Sequence, residues 1–196
     1  MAILSTDDFS FEFRYRDYAD SWLYYEICFQ LRGEPILNDS VIKRTGLYWQ
    51  DRRDGTIIVK EWKQDGLIPV LKKALNGREA CCWKPSELNL ILGMYPDCFF
   101  PDFYNKARVT YLDPKMQAEY DAQEKEKIEK GILPDYILFM LMIDTHAFSG
   151  GETFSGQGLS LSVICHRNEL EPFLKSLESE YQEFCARFNI LLFGEK

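Results

Sequence analysis

The sequence predicts an α+β fold in which an antiparallel or mixed curved sheet carries two packed amphipathic helices and one charged surface helix. Three observations support this class. Several segments alternate apolar and polar residues, two segments space apolar residues three and four positions apart, and one long segment is dominated by charge. The length of 196 residues is ample for one hydrophobic core, so we expect a single domain over residues 1–196.

The first elements are predicted to be strands. Apolar side chains occupy every second position over residues 9–15 and again over residues 23–31, where Gly33 ends the pattern. This period of two is typical of a strand with one buried face. The pair Asp54-Gly55 then predicts a turn into a short strand over residues 57–59.

A short amphipathic helix is predicted next. Its apolar stripe consists of Leu67, Val70, Leu71 and Ala74. We expect Asp65 to cap its start and Asn76-Gly77 to end it. Two strands are expected over residues 80–83 and 88–94, and nearby prolines keep them short.

The charged helix is predicted over residues 114–130, with proline at its first position and Gly131 as its end. Nine of residues 115–130 are charged. Large apolar residues occur only at Met116, Tyr120 and Ile128. We therefore expect a surface helix that turns one thin apolar stripe inward.

The last third of the chain is predicted to form two strands and the longest helix. Residues 136–143 are apolar throughout, as in a strand covered on both faces, and residues 159–165 alternate like its antiparallel neighbour. Asn168 and Glu171 predict a capping box, with Pro172 in the first turn. One stripe follows, made of Leu170, Phe173, Leu174, Leu177, Tyr181, Phe184, Cys185 and Phe188. Residues 190–193 are expected to form a short terminal strand.

One short pattern occurs twice. Residues 67–72 and 170–175 both have the form L-x-P-x-L-K. A strand–helix duplication, dividing the chain at about 1–100 and 101–196, would give this spacing. The preference of proline for the first turn of a helix also gives this match, and it is the explanation we favour.

Charge and composition exclude several classes of function. The 31 acidic residues outnumber the 23 basic ones, for a net charge of -8, which argues against a nucleic-acid partner. The longest apolar run that contains no hydroxyl group, residues 137–143, has seven residues, too few to span a membrane. Because the chain does not start like a secretory signal, we expect a cytoplasmic protein whose six cysteines are reduced thiols. Their spacing suits no metal site, and no motif calls for a cofactor.

A catalytic interpretation rests on few residues. Asp144 and His146 are two positions apart at a strand end, where the carboxylate could orient the imidazole. The glycine-rich loop 149–158 follows directly, but it fits neither a phosphate-binding nor a dinucleotide-binding motif. These residues define the alternative hypothesis, a hydrolase or other small-ligand enzyme.

The favoured interpretation is a non-enzymatic domain that binds another protein, and the negative net charge favours a basic partner. One expected contact surface consists of Glu178, Glu180 and Glu183 on the outer side of the last helix. The other consists of Phe99, Phe100, Phe103 and Tyr104, an aromatic segment without a regular period. In composition the chain is similar to small acidic bacterial proteins that neutralise toxins or regulate a partner, although no motif carries that likeness.

Overall fold

A computed structural model describes residues 1–36, 55–62, 66–77, 79–85, 90–97, 114–144 and 158–190. Within these ranges the chain forms nine strands and three helices. The predicted α+β class is confirmed, and the strands form two antiparallel sheets rather than one.

Sheet A contains the five strands from the first third of the chain. They are β1 Ala2–Ser5, β2 Phe9–Ala19, β3 Trp22–Leu31, β4 Glu34–Pro35 and β5 Ile57–Trp62. β1, β2 and β3 are neighbours in that order, and β4 and β5 both pair with β3. The predicted alternation is confirmed over residues 9–15, and Phe13, Ile27 and Ile57 lie opposite one another in a continuous buried row. In β3 it holds only in part, because Glu26 and Cys28 are also buried and Leu31 is exposed.

Sheet B contains the remaining strands in chain order. They are β6 Cys81–Trp83, β7 Leu90–Pro96, β8 Tyr136–Asp144 and β9 Gly158–His166. The predicted antiparallel pairing of β8 with β9 is confirmed. The expectation that both faces of β8 are covered holds only in part. Phe139 and Leu141 are buried on the core side, but Met140 and Met142 on the other side are half-buried.

The helices are α1 Leu67–Asn76, α2 Pro114–Glu129 and α3 Arg167–Phe188. Two predicted caps are wrong. The N-cap of α1 is Gly66 rather than Asp65. α3 starts earlier than expected, and the backbone N–H of His166 donates to the carboxylate of Glu169 over 2.6 Å, so the box does not use Asn168 and Glu171. Pro172 is consequently the sixth helical residue, beyond the first turn.

α3 buries the stripe that its sequence predicts. Six side chains of this stripe are buried, namely Leu170, Phe173, Leu177, Tyr181, Phe184 and Cys185. They face the aromatic side of sheet A, where the Phe173 ring lies 5.6 Å from Phe11 and the Phe184 ring lies 5.2 Å from Tyr15. The surplus of aromatic residues in the described part of the chain therefore serves the core.

α2 follows its predicted bounds, but its expected inward stripe is wrong at the two members whose side chains are described, and the side chain of Tyr120 lies outside the described ones. The side chains of Met116 and Ile128 are exposed. Gly131, at a φ of 64°, ends the helix as predicted. The N–H of Gly131 donates to the carbonyl of Ile128, and the N–H of Ile132 donates to that of Lys127. This pair of bonds is a Schellman motif, which fixes the direction of the chain after the helix.

Hydrogen bonds connect the two sheets and the packed helices. The indole N–H of Trp83 on β6 donates to the Glu61 carboxylate on β5 over 2.9 Å, inside the core. The guanidinium of Arg167 at the start of α3 donates to the carbonyl of Leu75 in α1. Of the predicted terminal strand, Ile190 is not in a strand, and residues 191–193 lie outside the described residues.

Candidate functional site

The three glutamates of the predicted acidic surface lie in different environments. Glu183 is exposed, as expected for the outer side of α3. Glu178 is half-buried and forms an ion pair with Lys72 of α1 at 2.6 Å. Glu180 is only 15% exposed at its side chain, and it accepts the backbone N–H of Tyr15 and contacts the Met1 amino group. Glu180 therefore holds α3 to sheet A instead of facing solvent.

The catalytic hypothesis falls largely outside the described residues. Asp144 ends β8 with its backbone opposite Gly158, but its side chain is not among those described. His146 and residues 149–157 of the glycine-rich loop also lie outside. His166 is exposed, whereas Cys165 is buried on the other side of the strand. As expected for adjacent residues of a strand, these two side chains do not form a catalytic pair.

The described thiols are poor nucleophiles where they are buried. No disulfide joins the described cysteines, which are Cys28, Cys81, Cys82, Cys165 and Cys185, and Cys98 lies outside the described residues. Burial raises the pKa of Cys165 to about 12 and that of Cys81 to about 11. Since the thiolate is the reactive form, neither group is poised for nucleophilic chemistry at neutral pH.

Glu61 is a buried carboxylate that its sequence position did not predict. Its side chain is 1% exposed, and it accepts the indole hydrogen bond of Trp83. Burial, followed by the nearby charge of Glu61, raises the pKa of Tyr25 well above its usual value. Buried carboxylates and tyrosines can serve as catalytic groups, but Glu61 is buried too deeply for a substrate to reach it. The arrangement instead fixes how the two sheets meet.

A small cavity opens on the face of sheet A that is turned away from α3. It has a volume of about 80 Å³, and its polar lining includes Glu12, Arg14, Glu26 and Thr56. The Glu26 carboxylate lies 3.6 Å from the Arg16 guanidinium. Burial raises the pKa of Cys28, which also lines the cavity. A space of this size suits a few ordered waters rather than a substrate.

The exposed apolar residues point to a different surface. Four of the eight exposed large apolar side chains in the described ranges lie between residues 116 and 133. Three of them follow one another closely at the end of α2, and we call them the α2-end patch: Ile128 (60% exposed), Ile132 (46%) and Leu133 (43%). The next residue, Pro134, is buried, so the patch stands where the chain leaves the helix and enters the core.

Charged residues lie next to the α2-end patch along the chain. Lys127 forms an ion pair with Glu124 at 3.1 Å, and Lys130 pairs with Glu126. An apolar patch with a charged rim is the usual composition of a protein–protein contact surface. The charge pattern of α2 had been evident in the sequence, but the exposure of its apolar residues had not.

The predicted aromatic surface, formed by Phe99, Phe100, Phe103 and Tyr104, lies outside the described residues.

Comparisons with known proteins add no family to this description. No family model, no curated protein and no solved structure matches the chain. Among the described residues, no group of histidine, cysteine, aspartate or glutamate side chains is arranged to hold a metal ion. In the same ranges, no helix combines the length and the apolar character needed to cross a bilayer.

Proposed function

We propose that this chain is a protein-binding domain that contacts its partner through the α2-end patch. The observation that carries the proposal is the exposure of Ile128, Ile132 and Leu133 together on one short stretch. Burying such side chains in a partner would release their apolar surface from water, at about 25 cal/mol per Å² before the costs of association. The Schellman motif supports the proposal, because it holds the patch in one conformation.

The partner we propose is a protein with an apolar groove and a basic rim. The chain carries a net charge of -8, which would steer a basic partner toward it. We place the interaction in the cytoplasm, because the described cysteines form no disulfide with one another. A bacterial protein that neutralises a toxin or regulates a partner is the corresponding biological class, and composition is its only support.

The experiment compares variants of the patch with matched variants elsewhere. Partners captured on the immobilised full chain are identified by mass spectrometry, and the affinity of each purified partner is then measured. We expect Ile128→Ser with Ile132→Ser to weaken binding by about tenfold or more, as loss of a buried apolar contact does. Ile3→Ser with Leu31→Ser removes two exposed apolar side chains from sheet A and should leave the affinity unchanged.

Glu183→Lys tests the acidic surface separately, because Glu183 is exposed and its reversal leaves the Glu180 contacts intact. A partner that ignores the patch variant and loses affinity with Glu183→Lys would contradict the proposal and place the interface on α3.

The alternative, a small-ligand enzyme that uses Asp144 and His146, is tested by a separate variant. His146→Ala should abolish any turnover and preserve folding if the imidazole is the general base. Partner binding should be unaffected by this change if the α2-end patch is the interface.

A further inference from the structure

The edge strands of sheet B differ sharply in length and protection. Among the strands of the described ranges, β6 lies at one edge and has three residues, whereas β9 lies at the other edge and has nine. A strand at an edge presents a row of backbone N–H and C=O groups that can pair with another strand. Proteins usually protect long edges with charged residues, proline or a bulge. Residues 158–165 of β9 contain no charge and no proline, and β9 pairs with β8 in one unbroken register.

The side chains of β9 also leave the core incompletely covered at this edge. Leu161 and Val163 pack against the core but are only half-buried, while Cys165 is fully buried. On the opposite face, Ser162 and Ile164 are exposed. A strand added beside β9 would satisfy the backbone groups, and apolar residues at its alternate positions would cover Leu161 and Val163.

We infer that β9 pairs antiparallel with β9 of a second copy of this chain, about a two-fold axis at Ser162. Ser162 is the central residue of Gly158–His166, so this register pairs all nine residues. It places Leu161 opposite Val163 of the second copy, and it keeps apolar residues on the core side because the positions retain their parity. The β9 strand of the second copy therefore has apolar residues at the alternate positions where this edge needs them.

Charge favours a second copy at this edge over other parts of the surface. Each chain carries a net charge of -8, so two copies repel each other in general. Residues 158–165 contain no charged side chain, and the pairing sets no like charges opposite one another. A closed two-fold contact of this kind would join the two four-stranded sheets into one of eight strands.

The first test is the mass of the full chain in solution, measured by sedimentation across a wide concentration series. We expect a dimer that dissociates on dilution. Ser162→Lys places two like charges at the axis and should give a monomer at every concentration. Cys82→Lys adds a charge to the exposed side of the opposite edge strand and should preserve the dimer. Circular dichroism checks that both variants fold.

The second test is the register. Directly opposite Cβ atoms lie about 4.5–5.5 Å apart, so Ser162→Cys should form a disulfide-linked dimer after slight adjustment. Ser160→Cys should not, because two copies of residue 160 would be offset by about 13 Å along the strands. A wild-type monomer throughout, a dimer that persists in Ser162→Lys, an assembly larger than two, or equal cross-linking of the two cysteine variants would overturn the inference.

Discussion

α3 and α2 are both long helices rich in charged residues, but they differ in where their apolar side chains lie. In α3, apolar residues recur three and four positions apart, and six of them are buried against sheet A and α1. In α2, Met116 and Ile128 are twelve positions apart, which places them about 120° from each other around the helix. Both remain exposed. The spacing of apolar residues, more than their presence, therefore decides whether a helix packs against the core.

The largest expected effect is a truncation inside α3. Leu177 is fully buried, so Leu177→Ala should lower the free energy of unfolding by about 2–5 kcal/mol through lost burial and a cavity. The matched change in the other helix, Ile128→Ala, should alter it by less than about 0.5 kcal/mol, as is usual for exposed positions. Urea unfolding of both variants measures the difference. Equal losses would mean that α2 is also docked.

The next expected effect concerns the hydrogen bond that joins the sheets beneath α3. Trp83→Phe removes the indole N–H and leaves the buried Glu61 carboxylate without this donor, which should cost about 1–3 kcal/mol. Glu61→Gln retains an acceptor oxygen for Trp83 and serves as the control. Thermal unfolding should therefore rank wild type, Glu61→Gln and Trp83→Phe in decreasing stability. A Trp83→Phe variant as stable as wild type would show that the hydrogen bond between Trp83 and Glu61 does not stabilise the fold.

A smaller effect follows from buried groups that deprotonate late. Burial raises the pKa of Cys165 to about 12, whereas the pKa of a cysteine thiol in the unfolded chain is near 9.0. Above pH 9 the unfolded state loses this proton first, so the stability present below pH 9 decreases as pH rises. The expected loss is about 1 kcal/mol by pH 10. Cys165→Ala should reduce that pH dependence in urea unfolding, and an unchanged dependence would contradict the assignment to Cys165.

The smallest expected effect lies on α2. Its pairs of Lys127 with Glu124 and Lys130 with Glu126 connect positions three and four apart. Such pairs at a surface contribute about 0.2–0.5 kcal/mol each. Glu126→Gln should therefore change the free energy of unfolding by a barely measurable amount. Screening of these ion pairs by high salt should have an equally small effect on the wild type. A loss above about 1 kcal/mol would indicate that α2 is coupled to the core.

The sequence was sufficient to predict the elements with a strong period. β2, β3 and α3 follow from alternation or from three-and-four spacing, because burial of one face imposes those periods. The division into two sheets could not be derived in this way, since strand pairing joins residues far apart in the chain. The caps of α1 and α3 failed for a local reason. Polar residues are common near helix starts, and β9 continues directly to His166.

The candidate site was less predictable than the fold. Glu180 borders the buried stripe of α3, and only the position of the Tyr15 backbone shows that it is engaged there. Glu61 is buried because Trp83, twenty-two residues away, supplies a donor. The exposure of Ile128 could not be derived either, because a short apolar pattern does not show whether a second element covers it.

Hydrogen exchange, measured on the free protein and on its complex with the captured partner, tests the proposed interface most directly. In the free protein, the amides of α3 should exchange slowly because the helix is packed, and those at the end of α2 should exchange faster. Addition of the partner should slow exchange at residues 127–133, around Ile128, Ile132 and Leu133. Unchanged exchange there, with new protection confined to α3 or to sheet A, would contradict the assignment of the α2-end patch as the partner-binding surface.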